Sequence, residues 1–140
     1  MAHIRQQLRG KVKLILEAAT DRPVFLNRVK AITGSELPCM IVTTSNETIE
    51  PQTIHSALIR DIELTVSVYE KAFDDVDDKL DAVCVLIENA LSSDTTISVQ
   101  SKLLQATNID ISDEGDQPIA IATMIYSFQF YDAKDPEKII

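Results

Sequence analysis

Between Ile62 and Leu91 the hydrophobic period changes from that of a strand to that of a helix within a few residues. Ile62, Leu64, Val66 and Val68 alternate with Glu63, Thr65, Ser67 and Tyr69, which predicts a strand with one buried face. Beyond Asp74 and Asp75 the apolar positions become Val76, Leu80, Val83, Cys84, Ile87 and Leu91, all on one stripe of a helix over 75–91. Ile4, Leu8, Val12, Ile15, Leu16 and Ala19 recur in the same way and predict a first helix over 3–19.

Pro23 closes that helical region, and 24–29 is short and β-prone. After Gly34-Ser35, the stretch 37–43 (LPCMIVT) is apolar enough for a central strand, with Pro38 at its start, where no ladder donor is needed. Thr44 to Ile59 mixes turn residues and Pro51 with Ile49, Ile54, Leu58 and Ile59, and reads either as a long loop or as the extended ends of a hairpin. Four apolar side chains amid turn residues lead to the expectation that this segment is mobile alone and ordered on meeting a partner. Residues 92–101 (SSDTTISVQS) form a polar connection. Ile109 and Ile111 then alternate with Asp110 and Ser112, 113–118 makes a turn, and 119–131 completes a hairpin with Met124, Tyr126, Phe128 and Phe130 on one face. Residues 132–140, with Pro136 and mixed charge, read as a frayed tail.

The resulting order is α-β-β-β-α-β-β. It predicts one α+β domain over 1–131, a mixed or antiparallel sheet with both helices packed on one face. Two helices cannot cover both faces of such a sheet, and oligomerisation is the usual answer for the other.

Composition places the 140-residue chain among ordinary globular domains, with 45% hydrophobic and 25% charged residues. No apolar run approaches the roughly 20 residues of a membrane span, and the N-terminal stretch has no signal-peptide pattern, so the expected compartment is a cytoplasm. Cys39 and Cys84 sit in apolar runs without a CxxC partner, as reduced core residues do. Charge changes the picture more. Residues 1–30 carry seven Lys or Arg against Glu17 and Asp21, a balance of +5, whereas residues 31–140 carry six basic and twenty acidic residues, a balance of −14. Most of the surface should therefore repel nucleic acid. Arg5 and Arg9 lie one turn apart near the start of the first helix, and Lys13 extends the row. Like charges at that spacing repel, and cations there oppose the helix dipole. The row is either a solvated face or a contact for an acidic neighbour. Gly10 weakens the same helix unless close packing requires it.

A search for catalytic chemistry finds little. The three glycines, Gly10, Gly34 and Gly115, lie in no phosphate-binding context, and there is no GxSxG or HExxH. His3 and His55 have no partner constellation. Residues 110–116 echo an EF-hand, but the twelfth position is Ile121 and the flanks are strand-like, which excludes it. Asp74, Asp75, Asp77, Asp78 and Asp81 have an ordinary reading as helix initiation, with Asp74 as N-cap and Asp75 paired to Lys79. The other reading is a weak divalent-cation site at a subunit boundary. With 5% aromatic residues and no zinc spacing, a nucleic-acid module is not indicated.

Four phrases carry a resemblance: IRQQLRGKVKLILEA, ELPCMIVT, RDIELTVSVYEKAFDDVDDKLDAVCVLIENAL and DEGDQPIAIATMIYSFQFY. In this order and spacing the chain resembles the phage tail terminator family, that of minor tail protein U of lambdoid phages. Thr44 to Ile59 and 132–140 match nothing in it. The resemblance implies a virion protein at the head-proximal end of the tail, present in the host cytoplasm before assembly. There it forms a homo-hexameric ring that caps the tail tube, ends its polymerisation and presents a surface to the head–neck connector. It implies no catalytic residue and no cofactor, and no membrane or sequence-specific nucleic-acid partner. A neck or head–tail completion (connector) ring is the alternative. A small enzyme using Asp74 and Asp78 is the third reading, and would need them in a concave site.

Within the ring, Arg5, Arg9 and Lys13 are expected to contact a neighbour, together with Ile49, Ile54, Leu58 and Ile59. A bore that passes DNA should not hold phosphate. Asp74, Asp75, Asp77, Asp78 and Asp81, with Asp110, Asp113, Glu114 and Asp116, are therefore expected to line or rim the channel, the alternative being the outer wall. Their self-repulsion would let divalent cations or salt promote assembly.

Overall fold

The central strand carries its alternation two steps further than its apolar residues do. The computed structural model describes residues 2–26, 32–52, 57–112 and 118–140. In it β3 (Leu58–Lys71) buries Ile62, Leu64, Val66 and Val68 on one face and continues that face outward to Arg60 at one end and Glu70 at the other. β3 pairs antiparallel with β2 (Cys39–Pro51) on one side and β5 (Ile119–Phe130) on the other. β1 (Val24–Leu26) adds a short parallel edge beside β2, and β4 (Ser101–Ser112) an antiparallel edge beside β5, giving the order β1-β2-β3-β5-β4.

Both helices pack on one face of this mixed sheet, as the apolar stripes predict. α1 (Ile4–Thr20) lies against β1 and β2, α2 (Val76–Ser93) lies against β3, and the two helices touch. Ile4, Leu8, Val12 and Leu16 of α1 and Leu80, Ile87 and Leu91 of α2 meet Val66, Met124 and Phe128 in one core. Cys39 and Cys84 are buried and are not joined in a disulfide. Gly10 sits where an added Cβ would meet nothing within 4 Å, so packing inside the subunit does not require it.

The charges at the two ends of β3 are buried and paired. Arg60 is 7% exposed, with Nη1 2.5 Å from Glu47 Oε1 on β2 and Nε donating to the Ala133 carbonyl at 2.5 Å. Glu70, also 7% exposed, accepts from Arg22 Nη1 at 2.5 Å. A buried charge is tolerated only with such a partner, and removing the partner typically costs about 3–5 kcal/mol.

Several sequence expectations change here. Thr44 to Ile59 is the hairpin alternative: Asn46 through Pro51 pair with Glu63 back to Leu58, past a bulge between Thr44 and Asn46. The described part of that segment is therefore ordered by its own chain, contrary to the expectation that only a partner orders it. β4 begins at Ser101, well before Ile109, because an edge strand exposed on both faces shows no alternation. α2 has Asp75, not Asp74, as its N-cap, without a side-chain capping bond. Residues 132–140 are not frayed. The Pro136 carbonyl accepts from the Ile4 N–H at 2.8 Å, Gln7 bonds both the Lys138 carbonyl (2.8 Å) and the Ile140 N–H (3.1 Å), and Ala133 and Ile140 are buried. The tail thus satisfies one of the open N–H donors in the first turn of α1.

Two outcomes follow from this packing. Glu47→Gln leaves Arg60 buried with two carbonyls but no counter-charge, and should lower unfolding free energy by about 3 kcal/mol in urea titration. Deleting residues 133–140 strips Ile140 from the core and the partners from Ile4 and Gln7. It should lower the melting temperature by a loss of at least about 2 kcal/mol, whereas a frayed tail would leave it unchanged.

Candidate assembly surface

The helix layer is narrower than the sheet. α1 stands over β1 and β2 and α2 over β3, so among the described residues no helix packs closely on the inner side of β4. On that side Leu104, Thr107, Ile109 and Ile111 oppose Tyr126, Met124, Ala122 and Ala120 of β5, and Ile109 and Ile111 remain 48% and 53% exposed. Between α2 and β4 runs a cleft of about 290 Å³, lined by Glu88, Asn89, Leu91, Ser92, Lys102, Leu104 and Tyr126. Lys102 Nζ is held at the end of α2 by the Asp94 carbonyl at 2.6 Å. The Tyr126 hydroxyl is buried and has no hydrogen-bond partner among the described residues. Burial pushes its ionisation far above the ordinary phenol value, helped by Glu88 and Cys84, so it stays a proton donor.

The α2 flank over this cleft is acidic. Spacings of four and seven residues put Asp77, Asp81 and Glu88 on one row, and all three are exposed. Their field is felt inside: burial first, then Glu88 and Asp81, raise the Cys84 thiol above its usual range.

The opposite edge is basic. Arg5, Arg9 and Lys13 lie at spacings of four on the flank of α1 that faces β2. Part of this row is compensated inside the chain. Arg5 Nε lies 3.2 Å from Glu47 Oε2, and Arg9 Nη1 donates to Thr44 Oγ1 at 2.6 Å. Lys13 has no hydrogen-bond or ion-pair partner among the described residues. Burial and the Arg5 charge both push the Arg9 guanidinium below its ordinary value. At the helix start, His3 Nδ1 accepts from the Arg5 N–H at 3.1 Å, which supplies the cap, and burial and Arg5 keep that imidazole below its ordinary pKa.

The helix-free face of the sheet divides into two ends. Towards one end Ile41, Tyr69, Ile121 and Ile125 stand half-buried beside Thr43 and Thr65. At the other, Asp61 accepts from Ser127 Oγ (2.5 Å) and Gln129 Nε2 (3.2 Å), and Glu63 accepts from Ser45 Oγ (2.8 Å).

The remaining sequence candidates scatter. Ile49 is 49% exposed on β2 opposite Arg60, while Leu58 and Ile59 are partly buried at the start of β3. Asp74, Asp75, Asp77 and Asp78 are exposed around the start of α2, with Asp75 3.7 Å from Lys79 as expected. Asp110 is exposed on β4, far along the sheet edge. Ile54, Asp113, Glu114 and Asp116 lie outside the described residues. Among the described residues no group of three or more His, Cys, Asp or Glu is placed to hold a metal ion. Glu88, Arg60 and Glu47 escaped the sequence reading, and Tyr126 entered it only as one residue of a strand face. Glu88 was legible as the next member of the Asp77–Asp81 row, and Arg60 as an even step back from Ile62.

No family model matches the chain, and no curated protein matches it in sequence. A solved structure does. A chain from the virion of a native gene transfer agent particle has the same fold. It aligns with a TM-score of 0.54 over 92% of each chain, at 14% sequence identity, which makes the likeness one of architecture.

An unsatisfied buried hydroxyl costs about 1–3 kcal/mol. Tyr126→Phe in the dilute subunit should therefore leave stability unchanged or raise it by about 1 kcal/mol, read by thermal unfolding. A clear loss would mean that the hydroxyl has a partner in the free subunit.

Proposed function

We propose that this chain is a structural protein of a phage-like particle, which assembles as a ring on the head-proximal end of a tail tube, stops tube growth and offers a joining surface to the neck. The observation that supports this most directly is the architecture shared with the gene transfer agent virion chain, nearly end to end in both. The tail-terminator phrases add weight because of where they fall. ELPCMIVT opens β2, the longest phrase spans β3 through α2, and the last ends along β5. These are the elements that build the sheet and its helical cover. The count of six subunits comes from the resemblance alone.

The charge layout is suited to self-association, with a basic flank at one sheet edge and an acidic flank at the other. The enzyme reading loses ground, because Asp74 and Asp78 are exposed at a helix start rather than gathered in a cleft. A connector ring at the neck would share the fold and the charge layout, so binding must separate the two.

Electron microscopy of the purified protein, alone and with tail tubes, tests the reading. Rings seated on one tube end, and tubes that stop lengthening when the protein is added, are expected. Binding to portal-side rings but not to tubes would move the protein to the neck. A chain that stays monomeric and binds neither would overturn the virion role.

A further inference from the structure

We infer that neighbouring copies join head to tail, the basic flank of α1 in one copy entering the cleft between α2 and β4 of the next. This rests on the reading that the chain assembles with itself, and names the surfaces that do it.

The two surfaces lie at opposite edges of one subunit. The Arg5, Arg9 and Lys13 row stands over the β2 side, and the Asp77, Asp81 and Glu88 row lies on the α2 flank whose Glu88 lines the cleft beside β4. A contact between unlike edges is heterologous, and repeated around an axis it closes into a ring when the rotation per copy divides a full turn. Joining like edges would set carboxylate against carboxylate or guanidinium against guanidinium, a juxtaposition that costs several kcal/mol. The charge layout therefore selects the head-to-tail mode.

The cleft is also unfinished in the isolated subunit. Its wall holds the Tyr126 hydroxyl without a partner, and the β4 floor beyond it leaves Ile109 and Ile111 half exposed. A volume of about 290 Å³ holds about ten waters at ~30 Å³ each, which is room for one or two long side chains rather than for a helix. Basic side chains with apolar stems suit such a place, with the stem along Leu91 and Leu104 and the head at Glu88 and the phenol oxygen. Lys13 is free among the described residues to do this. Arg5 and Arg9 can assist without giving up Glu47 or Thr44, because a guanidinium carries five N–H donors and each spends few of them internally.

A charge swap tests the contact. One variant carries Arg9→Glu and Lys13→Glu, the other Asp81→Lys and Glu88→Lys. Circular dichroism first establishes that both fold, and Lys13→Glu alone replaces the first pair if Arg9→Glu unfolds it. Each variant alone should need at least about tenfold more protein to assemble than the wild type in sedimentation, because like charges now meet. An equimolar mixture should regain assembly as even-numbered rings of alternating copies, and the defect of each variant should shrink in high salt. Wild type and both variants assembling alike would overturn this contact and leave the ring reading intact. Variants that fail alone and also fail when mixed would overturn it too. A wild type that stays monomeric at every concentration, with and without tail tubes, would overturn the ring and this contact together.

Discussion

The two buried charges of β3 set the register on which the other elements depend. Strand side chains alternate strictly, so a slip of one residue would carry Ile62 through Val68 to the open face and put Glu63, Thr65 and Ser67 in the core. Arg60 and Glu70 raise the cost of that slip, because each would leave a buried counter-ion behind. They also recruit what lies beyond the sheet. Arg60 ties β2 through Glu47 and the tail through the Ala133 carbonyl, and Glu47 in turn receives Arg5 from α1. Glu70 ties Arg22, in the turn that follows α1, to the far end of the strand. One strand therefore positions both ends of the first helix, and with it the basic flank.

Much of this was legible in the sequence where one face is dry and the other wet. The stripes of both helices and the alternation of β3 and β5 fell where the structure has them, since each of these elements has a single buried side. The reading failed where that contrast is missing. β4 meets solvent on both faces, so nothing in 102–108 marked it as a strand. The outer half of β2 is exposed past its bulge, so 45–51 read equally as a loop or as the arm of a hairpin. The tail was misjudged for a different reason: its partners, Ile4, Gln7 and Lys11, lie at the other end of the sequence, and no local pattern announces them. The charge asymmetry was visible as a count, but its division between opposite edges required knowing which strand each helix covers.

The same narrowness of the helix layer that leaves β4 uncovered accounts for the unsatisfied groups gathered there. A third helix over β4 would bury Ile109 and Ile111 and complete an ordinary two-layer domain. Its absence leaves a domain that is well packed over four strands and open over the fifth. The apolar end of the helix-free face, around Ile121 and Ile125, is a second surface of this kind, but without charge to choose its partner.

The position of β4 has a consequence for the order of events as the chain folds. β4 touches the sheet only through β5, and β5 joins it by pairing with β3 across the whole of α2 and β4, linking residues as distant as Arg60 and Phe130. Such long-range pairing is slow compared with closing the β2–β3 hairpin. The basic flank of α1 and its anchor on β2 are therefore present in a nascent chain before the α2–β4 cleft exists. In the head-to-tail contact inferred above, a half-finished subunit would offer a basic flank but no cleft to receive one, so two incomplete chains would not join each other.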